Sequence, residues 1–439
     1  MSRSTSASNA ASEDSTQAES STRSPASELT TADGVPLRKS LQRAVRRSKI
    51  RAFLLVSPLL LFLMIAFVMP IFEMLWRSVD NPEVSSTLPR TVSALQEWQG
   101  DSGELPGEPV FAALAEDLRE GQAERNLGLL SSRLNYEQSG MRSTISRTAR
   151  RLRNLEPPYR ESLIEVNEDW GNVDTWRIIK RESSPYTLSY YLAAIDKKYS
   201  PSGEIVSVPD YMKIHGTLFW RTFWMSAVIT LATLALGFPI AFLLANLPLR
   251  RSNLLMILVL LPFWTSLLVR TTTWIAILQS QGVLNDMMVA IGIIADEARW
   301  QMIHNKLGTI IAMTHILLPF MILPLYSVMK TIPPSYMRAA RSLGGKSFLS
   351  FRRVYFPLTI PGIAAGSILV FILSIGYYIT PALVGGQSGR FITNYIAYHM
   401  QTSLNWGLAA AIASILLFVV VVFYLVFNRL VGIDKVKLG

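Results

Sequence analysis

The chain has 439 residues, half of them hydrophobic, with no cysteine and a net charge of +11. Without thiols there are no disulfides, thiolate metal sites or cysteine nucleophiles, and the four histidines (His215, His304, His315, His399) are too scattered for a metal-ligand set. Of 31 acidic residues, 21 lie between Arg77 and Gly216 and only Asp286, Asp296, Glu297 and Asp434 follow, so the basic excess sits on the N-terminal arm and short loops and reads as membrane topology rather than nucleic-acid binding.

Residues 1 to about 35 are rich in Ser, Thr and Ala and lack periodic apolar positions, which predicts a disordered cytoplasmic tail. The 1–51 region closes with Arg38, Lys39, Arg43, Arg46, Arg47, Lys49 and Arg51, with no acid among them. This stretch orients the following helix, and contact with anionic lipid is its second possible use. The apolar run starts at Ala52, too long for a signal core and without a cleavage pattern, so residues 52–76 are predicted to be an uncleaved first span.

Residues 77–216 form a polar insertion with 21 acidic and 17 basic residues, placed outside the membrane by the topology. Val110, Phe111, Leu114 and Leu118 sketch a short amphipathic helix, Leu127–Leu155 a longer arginine-rich one, and Tyr186–Ile195 a third. The thin apolar content leaves open a small helical domain and a loose helical hairpin leaning on the bundle. Docking of a soluble partner and an insertion without function both stay open.

The core, residues 217–430, carries five more predicted spans: Thr222–Leu247, Asn253–Leu278, Gly308–Met329, Pro361–Leu383 and Leu408–Leu430. Tyr377 and Tyr378 fall inside the fifth, where they line a pore or sit in an interfacial belt. Arg250-Arg251, the loop after the fourth span, and Arg429, Lys435 and Lys437 all fall on one face. Both termini, including the 431–439 tail, are therefore predicted to be cytoplasmic. The segment 333–363 is an amphipathic hairpin. Pro333-Pro334 starts a helix with an apolar stripe of Met337, Ala340 and Leu343. Gly344-Gly345 breaks it, and Phe348, Phe351 and Tyr355 make a second stripe ending at Pro357. Lys330, Arg338, Arg341, Lys346, Arg352 and Arg353 accompany it without an acid, and so small a hairpin needs a partner's groove to cover its apolar face.

Arg338-Ala339-Ala340, three residues, Gly344, nine residues, Val354-Tyr355-Phe356-Pro357 resembles the EAA loop of permease subunits in binding-protein-dependent ABC importers. Arg338 replaces the family's glutamate and reverses a charge, so an ion pair of that glutamate does not carry over. Val354 and Phe356 keep apolar bulk. The resemblance runs from about Trp220 to Arg429. Leu261-Pro262-Phe263-Trp264-Thr265-Ser266 with Arg270 and Trp274, Gly282–Asn285, Pro319–Leu325, Thr380–Gly386 and Leu404–Trp406 look like the spermidine/putrescine subfamily, nearest its B- or H-type subunit. It implies an all-α, polytopic bundle of six transmembrane helices (the type I importer permease fold), with the external, mostly helical insertion added to it. It also implies the bacterial inner membrane, a related second permease, two ABC ATPase subunits and an external solute-binding protein. ATP and Mg would be held by the ATPases, leaving this chain no cofactor and no enzymatic role. Arg338, Ala339, Ala340, Gly344, Phe348, Phe351 and Pro357 become the expected ATPase-coupling residues.

Gly345-Lys346-Ser347 imitates the end of a phosphate-binding loop, but Ala340 stands where that motif needs glycine and no strand precedes it, so a nucleotide site is not expected. Arg270 lies within the third span, about 12 Å from its external end at 1.5 Å per residue, an expensive place for a charge. It is a substrate contact or a residue ordering the bundle. Trp264, Trp274 and Tyr377 join it as candidate pathway residues, since aromatic faces hold ammonium groups. The core spans lack acids, which leaves open another small organic solute (amino acid, opine or phosphonate-like). An ion-coupled secondary transporter needs mid-membrane ionisable groups and an internal repeat, and a membrane-anchored sensor needs a signalling domain.

Overall fold

The computed structural model describes residues 37–100 and 103–431; the expectations for 1–35 and 432–439 fall outside them. Residues up to Ile71 form a unit by themselves. There the helix Leu37–Leu63 passes through a π turn, Met64–Val68, into Met69–Arg77. The turn lies where Pro70 cannot donate to the Ala66 carbonyl, so the ladder shifts register instead of breaking. Val45–Arg77 is long and apolar enough to cross a membrane.

In the second unit the insertion has a core of its own. Leu88, Leu95, Phe111, Leu114, Leu118, Leu130, Trp170 and Trp176 are buried together, each contributing about 1.5–3 kcal/mol. The Phe111 and Trp176 rings meet edge-on at 4.6 Å. Both buried indoles keep a partner for their N–H: Trp170 donates to Thr148 Oγ1 at 2.9 Å and Trp176 to the Trp170 carbonyl at 2.9 Å. A helical domain, not a loose hairpin, occupies the insertion.

Two details differ from expectation. The segment 127–155 is not one helix but Leu127–Glu137 followed by Met141–Arg151, parted at Gly140, whose φ of +103° suits only glycine. A two-stranded hairpin, Lys197–Tyr199 against Ile205–Ser207, also interrupts the otherwise helical chain. Its turn is made by Gly203 at φ +88°.

The insertion also holds a buried ionic cluster. Arg133, 2% exposed, bonds Asn81 Oδ1 at 2.6 Å, Glu137 at 2.8 Å and the buried Glu182. Arg181 reaches Glu137 and Glu182, both at 2.8 Å. The Arg133 guanidinium also lies 4.9 Å from the Tyr190 ring. Tyr190 leads to the bundle, where a joint forms. Tyr191 Oη bonds both Ser78 and Ser414 at 2.9 Å, Tyr136 donates to the Ser403 carbonyl at 3.0 Å, and Arg77 lies 5.9 Å from the Trp406 ring. Asp196 accepts the N–H groups of Ile214, His215 and Gly216 at 3.1, 3.0 and 2.8 Å, capping the next long helix.

That helix, His215–Asn246, packs with Lys306–Thr331 and the run Ser347–Gly376 around Met225, Ile229, Met313, Leu317, Met321, Leu325 and Val370. Gly366 permits the close approach, since a β-carbon there would come within 2.7 Å of Met321 Sδ. Trp406–Val431 is the last long helix. Among the described residues, five helices are thus long and apolar enough to cross a membrane, or six when the bent pair Leu249–Trp264 and Leu267–Ala290 counts as one.

The bent pair corrects the expectation of a straight span over Asn253–Leu278. The chain turns by 96° after Trp264. Pro262 withholds a donor, and Ser266 starts a new helix by accepting the Val269 N–H at 3.1 Å. The depth of 12 Å deduced for Arg270 from a straight helix therefore lapses. The fifth span is corrected at both ends. It begins at Ser347 rather than Pro361 and stops at Gly376, and Ile379–Val384 is a separate helix. Tyr377 and Tyr378 sit in that break, not within a span. Thr393 Oγ1 and Asn394 Nδ2, each at 2.7 Å, satisfy their carbonyls.

Candidate coupling knuckle and translocation path

The helix Pro334–Ser342 starts where predicted, with Pro333 as its N-cap. Its end is closed by Gly344 N–H on the Arg341 carbonyl at 3.0 Å and Gly345 N–H on the Ala340 carbonyl at 3.1 Å. Gly344 has φ +86°, a left-handed conformation with open space around it. Gly345 is needed for a different reason: a β-carbon there would lie 2.6 Å from Ser350 Oγ and 2.7 Å from the Ala340 carbonyl oxygen. The two glycines therefore fix a tight knuckle.

Leu343 and Phe348 stand at its tip, 89% and 75% exposed, and Leu349 beside them is 42% exposed. Arg338, Ala339, Arg341 and Lys346 are exposed around them, while Ala340 is half-buried. Among the described residues this apolar surface has no cover, and cations ring it.

Phe351 behaves differently from the expectation that it faces a partner. Its ring stacks on Tyr355 at 5.6 Å and meets Phe242 and Phe238 of the His215–Asn246 helix edge-on at 5.7 and 6.3 Å. It ties the knuckle to the bundle. The second stripe does not end at Pro357 either. A π turn, Phe351–Tyr355, carries the helix past that proline, where the missing N–H would have bonded the Arg353 carbonyl. The second half of the knuckle is thus continuous with the long helix, as one run Ser347–Gly376.

The pathway candidates separate. Trp274 Nε1–H donates to His315 Nδ1 at 3.1 Å, with the rings edge-on at 5.3 Å. Arg270 lies within electrostatic reach of both His315 and Tyr377, and its Nε is buried without a hydrogen-bond partner. Trp274 and His315 are thus in direct contact, and the Arg270 charge is felt at both His315 and Tyr377. Trp264, across the 96° bend, is 76% exposed and makes no ring contact among the described residues. His315 is not among the residues the sequence singles out for the path; its only signal there is an ionisable side chain within an apolar helix.

Among the described residues no group of three or more His, Cys, Asp or Glu side chains is placed to hold a metal. The long helices and the basic, open knuckle define a multi-pass membrane protein of the transport type. Residues 237–432 match the family described as binding-protein-dependent transport system inner membrane component. The spermidine/putrescine transport system permease protein PotB of Haemophilus influenzae is 33% identical over 240 residues, 53% of this chain and 83% of that protein. PotB of Escherichia coli K12 is 36% identical over 229 residues, 51% of this chain and 82% of the relative. The inner membrane ABC transporter permease protein YdcU of the same strain is 33% identical over 222 residues, 48% of this chain and 70% of YdcU. The chain belongs to this family of ABC importer permeases. The family match begins at residue 237, beyond the insertion.

Proposed function

We propose that this permease forms half of the translocation pathway for a polyamine of the spermidine/putrescine type, in a bacterial inner membrane with both termini cytoplasmic. The likeness to PotB over most of that protein's length supports the cargo. The lysine and arginine distribution supports the orientation, which puts the insertion outside and the knuckle inside. A second, related permease supplies the other half. Two ATPase subunits bind ATP and Mg, and an external solute-binding protein delivers the cargo.

The observation that carries the mechanism is the exposed Leu343–Phe348 tip on a rigid turn. In this reading the tip seats in a groove of the ATPase. ATP-driven closure pushes it, and the helix continuous with it tilts through the Phe351–Phe242 contact. The bundle then moves between inward- and outward-open states, a population shift powered from another chain.

Residues 215–278 and the spans from Lys306 onward carry no Asp or Glu. We therefore assign affinity to the external receptor and weak passage to the membrane path. Trp274 and Tyr377 offer aromatic faces to the ammonium groups, and Arg270 keeps residence short by repulsion. Proteoliposomes holding the full transporter and its receptor should accumulate radiolabelled spermidine with ATP inside. Accumulation of a different solute, with spermidine excluded, refutes the cargo.

A further inference from the structure

The helix Met141–Arg151 of the insertion keeps a charged face that no carboxylate among the described residues pairs with. Met141, Thr144, Ile145, Thr148 and Ala149 are buried against the insertion core. Arg142, Arg147, Arg150, Arg151 and, just beyond, Arg153 are exposed. No acidic residue occurs from Gln138 to Leu155. Among the described residues none of the five arginines pairs with a carboxylate, and the Arg142 guanidinium donates to the Ser132 hydroxyl at 2.6 Å.

Several of the insertion's acids are engaged with other cations, and Asp169 accepts the Thr144 hydroxyl on the buried face of this helix. Glu116, Asp117 and Glu120 hold Arg90, Glu137 and Glu182 hold Arg133 and Arg181, and Asp174 holds Arg177. Arg147 stands three and four residues before Arg150 and Arg151, and like charges at those spacings destabilise a helix. Five exposed cations side by side, with no carboxylate in ion-pair reach among the described residues, are the pattern of a binding surface.

We propose that this arginine face docks the acidic surface of the external solute receptor. The inference rests on the importer reading with a polycationic cargo, because a soluble protein that captures a polyamine must present carboxylates. Such a protein is steered toward five unpaired arginines. The face is also rigidly connected to the moving parts. Its helix packs beside Leu127–Glu137, whose Tyr136 bonds the Ser403 carbonyl just before the last long helix. A receptor seated here acts on the bundle rather than on a loose tether.

The test uses the complete transporter in phosphatidylcholine nanodiscs with the receptor that supports uptake. The readout is the receptor concentration giving half-maximal stimulation of ATP hydrolysis at low salt. Changing all five residues (Arg142→Ser, Arg147→Ser, Arg150→Ser, Arg151→Ser, Arg153→Ser) should raise it about tenfold and remove most of its salt dependence. Basal hydrolysis should stay unchanged, and the five Arg→Lys substitutions should retain near-native behaviour. The pair Arg147→Ser/Arg151→Ser, a milder change, should give an intermediate shift. An unchanged midpoint and salt slope in these variants overturns the proposal. So does an effect that emerges only when anionic phosphatidylglycerol is added to the disc, which would assign the face to lipid headgroups. Spermidine binding by the isolated receptor is measured separately by calorimetry. If it is absent while the five-fold variant still weakens docking, the cargo reading fails and the docking face stands.

Discussion

The ring of Tyr190 lies so close to Gly407 that a β-carbon on that glycine would come within 2.4 Å of it. This is the tightest point of the joint between the insertion and the last long helix. Gly407→Val should therefore destabilise the protein by about 1–3 kcal/mol through overpacking. The lowered melting temperature in detergent should partly recover when Tyr190→Ala is added. A Gly407→Val protein that melts like the native chain contradicts the contact.

Arg133 is the central cation of the buried ionic cluster, with Glu137 and Glu182 on its guanidinium. Replacing it with methionine keeps bulk but leaves Glu137 and Glu182 with Arg181 as the one remaining cation among the described residues. The expected cost is about 3 kcal/mol, since removing one partner of a buried pair is far more damaging than removing both. Limited proteolysis should then cut within the insertion first. Equal protease resistance in the variant would show the pair to be dispensable.

His399 sits outside the spans with its Nδ1 on Ser403 Oγ at 2.9 Å and His215 nearby, the rings 6.3 Å apart. His215 in turn bonds Asp196 at 3.1 Å, and Tyr398 meets His399 edge-on. Burial, and then the proximity of His215, lower the His399 pKa from 6.5 to about 4. The native state thus holds a neutral imidazole that the unfolded chain would protonate. The stabilisation is complete above about pH 6.5 and is lost as pH falls toward 4. Melting temperature should drop between about pH 7.5 and about pH 5, and His399→Gln should flatten that drop. An identical pH profile in the variant rules out this source.

Gly344→Val places a β-branched residue at φ +86°, a strain of about 1–3 kcal/mol at the knuckle. Membrane insertion should be intact while ATP hydrolysis becomes uncoupled from uptake. Gly344→Asn, which tolerates the left-handed conformation, should retain most transport. Native uptake by the valine variant removes the hinge from the mechanism.

The sequence makes the apolar helices legible because crossing a bilayer imposes length and composition together. It also marks the start of the knuckle at Pro333-Pro334 and its break at Gly344, where backbone restrictions act locally. The bend after Trp264 is hidden, since Pro262 and Ser266 signal a break only when the carbonyls they free find partners. Phe351 is misplaced for a related reason: an i, i+3 stripe gives a face but not which neighbour covers it, and Phe242 is more than a hundred residues away in the chain. The insertion core was underestimated because Trp170 and Trp176 bury large areas from few positions.

The native chain contains no cysteine, so a single one placed at Leu343 or Phe348 gives an unambiguous cross-linking site. In membranes active for uptake, a short bifunctional thiol- and amine-reactive reagent at either position should capture the ATPase subunit. The yield should change when ATP is trapped before hydrolysis. Efficient labelling at both positions with no ATPase captured in any nucleotide state would contradict the knuckle as the point where work enters.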